Sequence, residues 1–281
     1  MATDMARSDT IHVTSWDEAQ EALYAGSWSP RLGRYRSSLC FRGCACVEGS
    51  LRHGLQQAGA EAACLEPHLL RSFRKYAHQA LPVGHDSPWH WLALAQHHGL
   101  PTRLLDWTYS PFVALHFATD DAAEWDRDGA IWCVDYVAAK RLLPPALAHV
   151  LADDGADVFT PELLSRAVDR LQDLETRAAE PCLVFLEPPS LDERIVNQYA
   201  LFSLLSSASS DMHAWLDGHP DLGRLVVIDR RAKPEIRDKL DQANVNERVL
   251  FPGLDGLCRW LRRYYELRGQ LDGARVDRPP M

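Results

Sequence analysis

The stretch Trp89–Asp120, WHWLALAQHHGLPTRLLDWTYSPFVALHFATD, governs the reading of the whole chain. Ser87 before it is an N-cap with Pro88 at the first helical position, and Gly99 followed by Pro101 ends that helix. Thr102–Trp107 reads as extended. Ser110-Pro111 repeats the cap signature, so the next helix spans Pro111–Thr119, with Phe112, Leu115 and either His116 or Ala118 on its inner face. Gln96, His97, His98, Arg103, Asp106, Thr108, Tyr109 and Ser110 sit in an otherwise apolar frame, at the handovers between elements rather than along one outer face. That placement is where sites are built.

Strand and helix signals continue outward in both directions. Upstream, Ile11–Val13 is a short strand, and Ser15 with Glu18 forms a capping box that opens a helix over Trp16–Leu23. Gly26–Ser37 is a loop and Ser38–Gly43 a strand that places Arg42 near its end. Glu66–Gln79 is a helix with Leu69, Leu70, Phe73 and Ala77 on one face. Downstream, Ala130–Tyr136, Cys182–Leu186, Ala200–Ser206 and Leu225–Asp229 are strands. Leu191–Gln198 is an exposed turn of helix or a loop. Pro234–Ala243 and Gly253–Leu267 are helices. Strands and helices mix without strict alternation, which predicts an α+β fold whose mixed, mostly antiparallel sheet is flanked by helices. The expected organisation is one domain over residues 1–270, with a helical insertion at 138–180 and a flexible tail at 271–281.

The chain has 281 residues, of which 46% are hydrophobic, enough for a full core. Its net charge is −9 and it shows no basic stripe, which argues against strong non-specific nucleic-acid binding. The seven cysteines are odd in number and scattered. With no apolar leader and no run of about 18 apolar residues, the expected setting is the cytoplasm, away from membranes.

The common catalytic signatures are absent: no G-x-S-x-G elbow, no H-E-x-x-H, no phosphate-binding glycine loop. His97, His98 and Asp106 could ligate a metal, as could Cys40, Cys44 and Cys46 with His53. Neither set has a zinc spacing, and adjacent histidines on a helix point about 100° apart, so no metal site is expected. The corner Arg103–Pro111 is more informative. A strand ending in Asp106-Trp107-Thr108 leads into a helix N-terminus, which suits an anionic or amide-bearing ligand. The competing structural reading pairs Asp106 with Arg103 or Arg42 and leaves Ser110 as a simple cap.

Phe41-Arg42-Gly43 followed by QHHGLPTRLLDWTYSPFVALHFA at Gln96–Ala118 resembles the FRG domain family. Arg194–Gln198 before Ala200–Ser203, Leu225–Ile228 followed by Lys233, Ile236 and Arg237, and Leu250–Leu257 also fit, so the resemblance runs from about Ser15 to Leu261. The order of these segments is similar to the layout of the ADP-ribosyltransferase superfamily, often written Arg-Ser-Glu. That resemblance implies an ADP-ribosyltransferase-like fold and NAD as substrate. In it Arg42, Thr108 and Gln198 are the catalytic candidates. Arg42, His97, Arg103, Asp106, Trp107, Tyr109 and Ser110 are the candidates for binding the dinucleotide. Gln198 stands where the pattern has a carboxylate, and Glu187 and Glu193 lie near enough in sequence to replace it.

The implied function is cleavage of the NAD glycosidic bond with transfer to an unknown macromolecular acceptor, in bacterial toxin or defence biology. The alternative is a non-catalytic module that binds a nucleotide, a nucleic acid or a protein in the same cleft.

Overall fold

The computed structural model describes residues 10–48, 50–59, 62–77, 87–177, 180–190 and 192–266. The tail expected at 271–281 and residues 78 and 79 of the helix expected over Glu66–Gln79 lie outside them. The main sheet has seven strands: β1 (Thr10–Val13), β2 (Leu39–Cys44), β3 (Leu105–Thr108), β4 (Gly129–Asp135), β5 (Leu183–Leu186), β6 (Ala200–Leu205) and β7 (Gly223–Ile228). Their spatial order is β1-β7-β4-β2-β3-β6-β5. Only β1 and β7 pair in parallel; every other neighbour pair is antiparallel. The fold is α+β with a mixed sheet flanked by helices, as the lack of strict alternation between strand and helix signals implied.

One face of the sheet is covered by two separate helical groups. Helices Trp16–Tyr24, Pro111–Thr119 and Lys233–Gln242 pack on Phe41, Ile131, Val226 and Ile228. Helices Pro88–His97, Pro145–Asp154, Pro161–Ala167 and Leu171–Thr176 pack on Val184, Leu186, Phe202 and Leu204 at the other end. Three of the four helices of this second group come from the region 138–180. The opposite face buries Trp107, Trp132, Phe185 and Leu205, together with Met212 and Leu216 of helix Met212–Asp217.

Both proline-capped helices form as their signals predict. Ser87 Oγ accepts from the His90 N–H at 3.1 Å and Ser110 Oγ from the Val113 N–H at 3.3 Å. Two local expectations are corrected. Ser15 Oγ takes the Glu18 N–H at 3.3 Å, but the Glu18 carboxylate reaches back to the Thr14 N–H at 2.7 Å, one residue before the cap. The Gly26–Ser37 loop contains a two-stranded hairpin, Trp28–Ser29 against Arg34–Tyr35, closed by side-chain contact between Trp28 and Tyr35 at 5.2 Å. Of the two readings of Leu191–Gln198, the turn of helix is the one that forms, over Glu193–Asn197; Asp192 caps it through the Ile195 N–H at 3.1 Å. Elements this short are nucleated by caps and contacts, not by apolar period.

Candidate functional site

β2 and β3 are neighbours but pair at one position only, Phe41 with Thr108. Beyond it β2 follows β4, with Arg42 opposite Trp132 and Gly43 opposite Ile131, while β3 follows β6, with Asp106 opposite Phe202. The two strands part, and the gap lies between the two helical groups. Arg42 spans it: Nη1 donates to the Asp106 carbonyl at 2.8 Å and Nε to the Ser50 carbonyl at 2.8 Å. Its guanidinium thus ties the two sides of the split.

Phe41 and Gly43, two residues apart on the strand, serve the opposite face. Phe41 is buried in the core. A Cβ at Gly43 would lie 1.8 Å from the Ala114 carbonyl oxygen, so only glycine lets helix Pro111–Thr119 approach β2 this closely.

A cleft of roughly 1350 Å³ occupies the split. Arg42, His97, Asp106, Trp107, Thr108 and Gln198 all line it. A relay fixes its floor: Thr102 Oγ1 donates to Gln96 Oε1 at 2.6 Å, and Gln96 Nε2 donates to both Asp106 carboxylate oxygens at 3.0 Å. The Asp106 carboxylate therefore pairs with Gln96, and neither Arg42 nor Arg103 reaches it as the structural alternative supposed. His97 Nε2 lies 2.5 Å from Asp192 Oδ2, joining the first capped helix to the Glu193–Asn197 helix across the cleft mouth. Burial raises the Asp192 carboxyl, but the Ile195 N–H and His97 outweigh it and hold this group below the usual range. Thr108 Oγ1 donates to the Gln198 carbonyl at 2.7 Å, and Gln198 Nε2 donates to the Leu250 carbonyl at 2.9 Å.

Three predicted residues lie elsewhere. Arg103 is buried and Nε donates to Glu66 Oε2 at 2.6 Å, so it is a structural ion pair. Tyr109 turns away from the cleft, its hydroxyl donating to Glu187 at 2.8 Å in a separate cavity. Ser110 only caps its helix. Trp107 shows the cleft an edge but is a core residue, with Nε1 donating to Ser203 Oγ at 2.7 Å. Of the two candidate carboxylates, Glu193 lines the cleft and Glu187 does not.

The cleft also contains residues that the sequence did not nominate for binding a ligand there. Arg194 and Arg259 flank the Phe251 ring, with guanidinium carbons 5.2 and 4.0 Å from its centroid. Arg52 and His53 line the same cleft. Arg194 and Phe251 belong to the later segments quoted above, whereas Arg259 stands in a charged helix that carries no such signal.

Among the described residues, no three His, Cys, Asp or Glu side chains are gathered as a metal centre, and no helix is long and apolar enough to cross a membrane. No curated protein and no solved structure matches the chain. The FRG domain family model matches residues 37–127, the span that carries Arg42, His97, Asp106 and Thr108. This segment of the chain is therefore an FRG domain.

Proposed function

We propose that the cleft binds NAD and that the protein is ADP-ribosyltransferase-like, cleaving the glycosidic bond of the dinucleotide and passing ADP-ribose to a macromolecular acceptor or to water. The observation that carries this reading is convergence. Arg42, Asp106 with Thr108, and Gln198 come from three distant segments and line one cleft at the strand split. Its volume of roughly 1350 Å³ exceeds the 300–1,000 Å³ typical of small-ligand pockets, leaving room for a dinucleotide.

The residues present fit such a ligand. Arg42 spends Nε and one Nη1 hydrogen on carbonyls, and the remaining guanidinium hydrogens can serve a phosphate. Arg52, Arg194 and Arg259 add positive charge along the cleft. NAD supplies a glycosidic bond whose leaving group is nicotinamide. The chain must then stabilise positive charge at the sugar carbon, which a carboxylate does best. Gln198 is neutral, and Glu193 is the carboxylate in the cleft suited to that role. The setting we propose is intracellular, in bacterial defence or as a toxin.

Calorimetric titration with NAD and an assay of nicotinamide release test the proposal. Wild-type protein is expected to bind NAD and release nicotinamide. Glu193→Gln should retain binding and lose most of the release. Absence of both binding and release from wild-type protein would sink the reading.

One observation favours a second reading, a nucleotide-, nucleic-acid- or protein-binding module without turnover: the Gln198 amide is already committed to the Leu250 carbonyl. NAD binding with no nicotinamide release, unchanged in Glu193→Gln, would select it.

A further inference from the structure

A second cavity, of roughly 860 Å³, lies on the far side of the wall that Thr108 and Gln198 form. The wall continues through Tyr109, whose N–H donates to the Tyr199 carbonyl at 3.0 Å. Tyrosine rings dominate the cavity. Tyr109 meets Tyr136 at 5.5 Å and 76°, and Tyr199 at 5.0 Å and 58°. Tyr35 of the Trp28–Tyr35 hairpin stands at the rim. Glu187 accepts from the Tyr109 hydroxyl at 2.8 Å, and no cation lies within ion-pair distance of it among the described residues. Two further carboxylates in the lining are already engaged: Asp157 by Lys140 at 3.0 Å and Asp154 by Arg166 at 3.4 Å. Arg36 is the one basic residue of the lining.

Tyr199 is the telling residue. It follows helix Glu193–Asn197 and its capping Gln198, its φ is +48°, and its N–H donates to the Val196 carbonyl at 3.0 Å. This is the left-handed terminating position that glycine or asparagine normally fills. A tyrosine there is a backbone outlier, and outliers of this kind concentrate at functional sites. Burial does not compensate for it, because the residue is 60% exposed. What a tyrosine at this position provides is a ring set against Tyr109.

We propose that this tyrosine-walled cavity binds an organic cation of side-chain size, a guanidinium or alkylammonium group, held against the rings of Tyr109, Tyr136 and Tyr199 with Glu187 as counter-ion. Ring faces attract cations, most strongly where water is partly excluded, and a partly buried carboxylate without a cation partner supplies the opposite charge. The field agrees. Burial first, then Glu187, pushes the Tyr109 hydroxyl far up, and burial, then Asp157, pushes up that of Tyr136; both rings are partly withdrawn from water, with a carboxylate as the next influence. The cavity does not depend on the NAD reading: its probes are titrated without NAD, so failure of either proposal leaves the other to its own experiment.

The test is calorimetry at low salt with three probes. Tetramethylammonium and agmatine represent free cations, and a capped pentapeptide with one central arginine represents a protein side chain. Sodium chloride and tert-butanol, a neutral body of similar shape, are controls. Wild-type protein is expected to bind the organic cations and neither control. Tyr199→Gly is expected to melt at or above the wild-type temperature while its affinity for the probes falls by roughly tenfold or more. Glu187→Gln, which still accepts from Tyr109, should lose a similar factor. Tyr199→Asn, which also tolerates the left-handed backbone, stands in should the glycine variant fail to fold. Tighter binding of the peptide than of agmatine identifies a protein side chain as the ligand, and equal binding identifies a free small cation. The proposal is overturned if no cation binds beyond sodium, if tert-butanol binds as well as the cations, or if the Tyr199 and Glu187 variants bind as wild type does.

Discussion

Arg42 and Asp106 stand on strands that pair at one position only, and Arg42 Nη1 donates to the Asp106 carbonyl at 2.8 Å across the gap that opens beyond it. The same guanidinium holds the Ser50 carbonyl at 2.8 Å, so one side chain sets the width of the cleft. Hydrogen bonds from a charged donor contribute more than neutral ones, and Arg42 is partly exposed. We therefore expect Arg42→Ala to cost about 2 kcal/mol of unfolding free energy in urea titrations. Arg42→Lys keeps the charge but offers no fork, and should fall between the two.

Gly43 faces the backbone of Ala114 and has no room for a methyl group. The clash falls on a carbonyl oxygen at 1.8 Å, and a second close contact is the Ala118 nitrogen at 3.0 Å, so no side-chain rotation relieves it. Gly43→Ala should destabilise by about 3 kcal/mol, at the upper end of overpacking effects, and thermal melting reads it directly. Gly33→Ala, at φ +61° with open space around it, tests backbone strain alone and should cost only about 1 kcal/mol.

Arg103 and Glu66 are both buried, 8% and 1% exposed, and share two hydrogen bonds, the Arg103 N–H adding one at 3.1 Å to the side-chain contact at 2.6 Å. Removing one partner strands the other in the core. Arg103→Met and Glu66→Gln should each cost about 3 kcal/mol or more, and the double variant clearly less than their sum. A chemical-denaturation double-mutant cycle measures the coupling. Any effect of these variants on ligand binding should vanish where the folded fraction is restored.

His116 is buried, and Arg237 Nη1 lies 2.6 Å from its Nδ1. A guanidinium can only donate, so Nδ1 accepts and the imidazole proton sits on Nε2, 4.0 Å from Asp120 Oδ2. Burial, then Arg237, drives the His116 value well below normal, while burial raises Asp120 to about 6. The two act in opposite senses. Asp120 binds its proton more tightly when folded, so its contribution is complete below pH ~4 and is lost as pH rises through about 6. His116 binds its proton less tightly when folded, so its contribution is present above pH ~6.5 and is lost on acidification. Asp120→Asn removes only the first. The variant should be more stable than wild type at pH 7.5, by on the order of 1 kcal/mol after solvent screening, and should lose stability more steeply between pH 6.5 and 5. Urea unfolding across that range decides it. Glu247, whose carboxyl burial raises but Arg263 and Arg237 pull down to about 2, titrates below this window.

What the chain declares locally, the fold obeys. Ser87-Pro88 and Ser110-Pro111 start helices because a hydroxyl and a ring act on the adjoining turn, whatever lies beyond it. Gly99, at φ +81°, ends the first of them for the same reason. These signals suffice for the α+β class and for the strand between the two helices. The resemblance nominates Arg42, His97, Asp106, Thr108 and Gln198, which the tertiary structure then sets around one cleft.

Partnership was not legible. Arg103 and Asp106 are three residues apart and look alike as site residues. Arg103 is taken by Glu66, 37 residues away, and Tyr109 by Glu187, 78 residues away. Which charge is buried and which faces the cleft depends on what packs from the other side, and no local pattern encodes that. The strand split is of the same kind: it arises because β2 follows β4 while β3 follows β6. Sequence alone determined which residues could build a site. Long-range packing decided which of them do, because burial and pairing energies belong to surfaces that meet only when the chain is folded.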